Sequence, residues 1–143
     1  MRGQAAGFEV FEHTADAGIV AWGETLADAF DQAARGMYSL MVDIDRVEST
    51  ETRQIALRSP DRERLLADWL QELLFLTETE GLVFAQFDVR LDPSGCVLEA
   101  TVGGEPLDVS RHEPAYDIKA VTRHQLKVER EANSWRVRVL FDI

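Results

Sequence analysis

The chain reads as an α+β domain, with two amphipathic helices packed on one face of a mostly antiparallel or mixed sheet. Three observations predict this. Apolar residues recur at helical spacing in two stretches, 25–41 and 59–80. From Val83 onward they alternate with polar residues almost everywhere. The order is two strands, helix, strand, helix, then a run of strands.

Phe8, Val10 and Glu12 begin a first strand, and Ile19 to Trp22, bracketed by Gly18 and Gly23, form a second. His13-Thr14-Ala15-Asp16 is the short polar connection between them. Thr25 followed by Asp28 makes a capping box, in which the hydroxyl accepts from an early helical amide and the carboxylate reaches back. Leu26, Ala29, Phe30, Ala33, Met37, Leu40 and Met41 then share one helix face. Gly36 inside that helix costs about 1 kcal/mol relative to alanine, so it marks a close approach to a neighbour. After a polar stretch, Asp43 to Thr50, a strand is predicted at Gln54 to Leu57. Ser59 caps the second helix with Pro60 at its first position, Leu65, Leu66, Trp69, Leu70, Leu73 and Leu74 form its apolar face, and Gly81 ends it. Val83 to Leu91 and Leu98 to Val102 form a hairpin across Pro93-Ser94-Gly95. A loop holding Gly104-Glu105-Pro106 and Arg111-His112 leads to a short strand near Ile118. A second hairpin pairs Leu126 to Glu129 with Trp135 to Ile143 around Asn133 and Ser134.

At 143 residues the chain suits one domain, residues 8–143, preceded by a disordered start, residues 1–7. Fifteen basic against 26 acidic residues give a net charge of −11, which opposes nonspecific binding to a phosphate backbone, so no tight nucleic-acid binding is expected. That acidity fits simple solubility and equally fits docking onto a basic protein surface. The single cysteine, Cys96, has no intrachain partner and reads as a hairpin residue. No apolar run is long enough to span a bilayer and no secretory leader precedes Phe8, so the expected location is cytoplasmic, with no membrane partner. No Gly-rich phosphate loop or Gly-x-Ser-x-Gly elbow is present.

Chemistry concentrates at the end of the last strand. Trp135, Val137, Val139, Phe141 and Ile143 share one face, while Arg136, Arg138, Leu140 and Asp142 share the other, so Asp142 points away from the core. Asp16, in the connection after the first strand, reaches the same end if the first and last strands lie side by side. Asp16, Asp142 and the terminal carboxylate of Ile143 then make an all-oxygen set suited to a hard cation such as calcium rather than zinc. The alternative is an ordinary exposed end with solvated charges. Lys119 is either a snorkelling side chain or a counter-charge to these carboxylates. Asp43 and Asp45 have the spacing of a cation loop but lack the glycine and glutamate that complete one. His13, His112 and His124 are too far apart to form a metal motif and read singly as hydrogen-bonding structural residues.

Four blocks carry a further signal: HTADAGI (His13 to Ile19), GEPLDVSRH (Gly104 to His112), KAVTRHQLKV (Lys119 to Val128) and the final FDI. Together and in this order they resemble the archease family, from about Phe8 to the last residue. The resemblance implies a noncatalytic accessory protein for the GTP-dependent RNA ligase that joins 3′-phosphate or cyclic-phosphate ends to 5′-hydroxyl ends in tRNA splicing and RNA repair. Such a protein promotes guanylylation of the ligase's active-site histidine and multiple turnover. It further implies that Asp16, Asp142 and the Ile143 carboxylate hold a metal, usually calcium or another divalent ion, and that Lys119 acts beside Asp16 and Asp142 in activation. His13, His112 and His124 match family positions and would stand behind those ligands. Arg123 departs from the pattern, where an aromatic residue is expected before His124. Two other readings remain open: a metal-dependent phosphoester hydrolase whose carboxylates activate water, and a general chaperone-like binding module.

Overall fold

A computed structural model describes residues 6–12 and 16–143. The elements are β1 (Gly7–Glu12), β2 (Asp16–Gly23), α1 (Leu26–Met41), β3 (Glu51–Arg58), α2 (Arg62–Glu80), β4 (Leu82–Leu91), β5 (Val97–Pro106), α3 (Val109–His112), β6 (Ala120–Glu131) and β7 (Ser134–Asp142). β1 begins at Gly7, the last residue of the stretch expected to be disordered; residues 1–5 of that stretch lie outside the described residues.

The α+β class is as predicted, and its strands divide between two antiparallel sheets, ordered β1-β2-β7-β6 and β3-β5-β4. Alternation along a strand reports which side is buried but not which strand is the neighbour. α1 packs on β1, β2 and β7 of the first sheet and on β4 of the second, while α2 packs on β6 and on the second sheet. One core of Ala17, Ile19, Phe30, Met37, Trp69, Phe84, Val139 and Phe141 therefore runs under both sheets.

Thr25 caps α1 in the expected box: its hydroxyl accepts from the Asp28 amide at 3.0 Å, and the Asp28 carboxylate accepts from the Thr25 amide at 3.4 Å. Gly36 marks the close approach it implied, because a Cβ there would stand 3.0 Å from Ile19 and 3.2 Å from the Phe8 ring. α2 differs at its start. Its cap is Asp61, which accepts from the Arg64 amide at 2.7 Å, not Ser59. The Ser59 amide still donates to the Cys96 carbonyl at 2.9 Å, so the sheet holds that residue extended, and its hydroxyl donates to Asp68 at 2.7 Å. Gly81 ends α2 in the left-handed region at φ 71° as expected.

The predicted short strand near Ile118 and the strand over Leu126 to Glu129 are one strand, β6, broken by a bulge. Thr122 pairs with Leu140 and Lys127 with Arg138, so residues 123–126 face Val139 alone. Gln125 there takes a left-handed φ of 57°. The loop expected over Gly104 to His112 is the end of β5 followed by α3.

Candidate functional site

Core packing sets the site. Ala17, Ile19, Val139 and Phe141 are fully buried, so alternation forces Asp16 and Asp142 onto the opposite face at the same end of the first sheet. The two aspartates are direct cross-strand partners. Their Cβ atoms are therefore about 5 Å apart, where like charges destabilise the pair. Asp16 arrives as the first residue of β2, which is the strand beside β7, while β1 lies at the sheet edge. Asp142 is exposed, whereas Asp16 is half-buried and its Oδ1 has no hydrogen-bond partner among the described residues. A buried, orphaned carboxylate oxygen beside a second carboxylate fits a hard cation with oxygen ligands. Among the described residues no three of His, Cys, Asp and Glu converge, so the side-chain donors at this tip are two carboxylates. Ile143 follows them, partly buried against the core.

Lys119 meets the tip through its backbone: its amide donates to the Asp142 carbonyl at 2.8 Å. The residue also borders a pocket lined by Met41, Leu74, Thr77, Glu78, Asp117 and Ile118. Among the described residues it forms no ion pair with Asp16 or Asp142. The segment leading to Lys119 is tethered throughout, by Ala115 to the Met41 carbonyl, Tyr116 to the Leu40 carbonyl, and the Tyr116 hydroxyl to Glu12 at the end of β1.

The histidines separate. His13 lies outside the described residues. His124 is exposed on the β6 bulge, its amide donating to the Thr122 hydroxyl at 3.2 Å. His112 is fully buried and both ring nitrogens are used. Nδ1 accepts the Asp108 amide at 2.9 Å, so Nε2 carries the proton and donates to Glu105 at 3.0 Å. Glu105 also accepts from Arg111 and from the Glu48 amide; the Arg111 guanidinium and these hydrogen bonds hold its carboxyl down at about 2. This buried knot was not read from the sequence, where only an acid and an Arg-His pair within one short block hinted at it. Asp43, one end of the considered cation loop, pairs instead with Arg46 at 3.3 Å.

Residues 8–143 match the model of the Archease protein family (MTH1598/TM1083). The chain belongs to the archease family. Among its relatives, the protein named archease from Pyrococcus abyssi is 37% identical over 139 residues, spanning 95% of this chain and 98% of that one. The archease of Thermococcus gammatolerans is 42% identical over 125 residues, spanning 86% and 88%. The solution structure of Methanobacterium thermoautotrophicum protein 1598 superposes with a TM-score of 0.84 at 40% identity, covering 96% of this chain and 99% of that one. A Thermotoga maritima crystal structure described as an archease, possible chaperone, shares the fold at a TM-score of 0.61 and 20% identity, covering 93% and 94%. No helix of the described archease fold is long and apolar enough to cross a membrane.

Proposed function

We propose that this archease activates the GTP-dependent RNA ligase of tRNA splicing and RNA repair, promoting its guanylylation and repeated turnover without joining RNA itself. The observation that carries the reading is Asp16, directly across from Asp142, whose buried Oδ1 has no partner among the described residues, in a chain of this family. An orphaned oxygen facing another carboxylate is unfavourable for folding alone, so its retention points to use.

In this reading β2 and β7 present Asp16 and Asp142 outward at one end of the sheet, and the Lys119 amide fixes the backbone of Asp142 between them and α2. Asp16, Asp142 and, from the family resemblance, the Ile143 carboxylate would hold calcium or another hard divalent ion. Such an ion supplies positive charge that relieves carboxylate repulsion and leaves oxygen ligands arranged for a partner. The acidic surface steers the tip toward the basic entrance of an RNA-binding enzyme. Archease then raises guanylylation only so far as it binds the GTP-accepting conformation of the ligase more tightly than the other.

A ligase guanylylation assay with purified archease tests this. Asp16→Ala and Asp142→Ala are expected to keep the native circular dichroism spectrum yet to lose most of the stimulation; full stimulation by either sinks the proposal. Phosphoester hydrolysis by archease alone, abolished by a chelator, would favour the hydrolase reading. Protection of unrelated proteins from aggregation that survives Asp142→Ala would favour the chaperone-like one.

A further inference from the structure

The charge of the chain is segregated. Residues 119–142 hold six cations, Lys119, Arg123, Lys127, Arg130, Arg136 and Arg138, against three carboxylates, a net +3, while residues 1–118 hold nine against 23, a net −14. Arg35, Arg46, Arg53, Arg64, Arg90 and Arg111 each pair with a carboxylate. Among the described residues none of the six cations of 119–142 forms an ion pair.

Their arrangement adds to this. Lys127, Arg136 and Arg138 share the sheet face opposite the helices, and Lys127 stands directly across from Arg138. Like charges in that position destabilise a sheet unless an anion bridges them. Arg138 also lies 4.4 Å over the Phe11 ring and donates to Gln125 on the bulge at 3.1 Å, which holds its guanidinium in the plane of the face. Of the carboxylates on this face, Glu129 stands directly across from Arg136, Glu131 lies across from Ser134, and Glu9 of β1 lies in line with Arg138 beyond Val20, so Lys127 and Arg138 are the pair of cations without a carboxylate directly across.

We propose that the β6–β7 hairpin is a weak binding strip for the sugar-phosphate backbone of single-stranded RNA. Arginine forks match phosphate oxygens in pairs, and Arg136 and Arg138, about 6.7 Å apart along β7, can track successive phosphates. Choosing RNA over an acidic peptide rests on the ligase reading above: a tip docked where RNA ends react places this strip along the outgoing strand. The bulk acidity keeps the contact weak and local, so the isolated chain is not a tight nucleic-acid binder.

The test is fluorescence anisotropy of a labelled 20-nucleotide single-stranded RNA titrated with the full chain. Three phosphate contacts predict that affinity falls about tenfold between 50 and 150 mM salt. Lys127→Gln with Arg136→Gln is expected to weaken binding at least tenfold and to reduce the logarithmic salt slope by about 1.4. If that pair alters the thermal melt, the exposed Lys127→Gln alone serves the same comparison with a slope change of about 0.7. Asp142→Asn is expected to bind the RNA as the native chain does, so loss of activation and loss of RNA binding are read separately. No binding at 50 mM salt, unchanged binding by the folded variants, or displacement by oligoglutamate as readily as by RNA would each overturn the assignment.

Discussion

Asp16 is where folding and function pull apart most clearly. Its Oδ1 is buried without a partner among the described residues, and Asp142 is its direct cross-strand partner, so replacing Asp16 with asparagine removes a repulsion. We expect Asp16→Asn to be as stable as the native chain, or slightly more stable, in chelator. Calcium at 100 times its dissociation constant should stabilise the native chain by about 2.7 kcal/mol and leave Asp16→Asn unmoved. Thermal melts across a calcium titration read both; an equal shift in the variant would place the ion elsewhere. Much of this residue-scale picture was legible in the sequence. The alternation of Val137, Val139 and Phe141 fixed where Asp142 points, because burial of one strand face exposes the other. The partner of Asp142 was conditional on strand order, which one strand's periodicity does not carry. The lysine was the less readable member: its position beside Asp142 comes from a backbone hydrogen bond, which side-chain periodicity does not report.

Among the elements, α1 was readable from its capping box and its apolar face, both local in sequence. α2 was readable in its body and its Gly81 terminus, but two good caps, Ser59 and Asp61, lie within one turn of its start. The sheet decides between them, since Ser59 remains bonded to Cys96 across the β5 hairpin. Asp61→Ala is therefore expected to cost about 1 kcal/mol, the loss of an N-cap, measured as a lower urea midpoint at unchanged slope. No change in midpoint would return the cap to Ser59. In β6 the bulge breaks the period, so sequence pattern alone shows two short strands there: residues 123–126 lie opposite a single residue of β7, and Gln125 sits at positive φ. Bulges of this kind re-aim side chains. Here the bulge carries the exposed Arg123 and His124 immediately beyond the tip pair of Ala120 and Asp142.

At the scale of the whole molecule, the two sheets are coupled by a buried polar knot as well as by the core. Glu105 is the next-to-last residue of β5 in the second sheet, and it holds the Glu48 amide, Arg111 and the buried His112. The His112 carbonyl in turn accepts the Asp43 amide at 2.7 Å, just past α1, and the tethered chain beyond runs to Lys119 and the first sheet. The knot should therefore report itself in acid. Its carboxyl is held at about 2 against an ordinary 4.5, chiefly by Arg111. A depressed carboxyl stabilises the fold fully above its unfolded value and loses that contribution as pH falls through the folded one. Stability attributable to Glu105 should accordingly be intact at pH 6 and decline between about 4.5 and 2. Glu105→Gln keeps an acceptor for His112 but removes the charge facing Arg111. It is expected to cost about 2 kcal/mol near neutrality, the worth of a charged hydrogen bond, and to flatten the acid limb of the stability curve. Urea unfolding of both chains from pH 7 to pH 2.5 measures the difference. Parallel curves, offset by a constant amount, would mean that Glu105 contributes through shape alone and that acid sensitivity arises at other carboxylates.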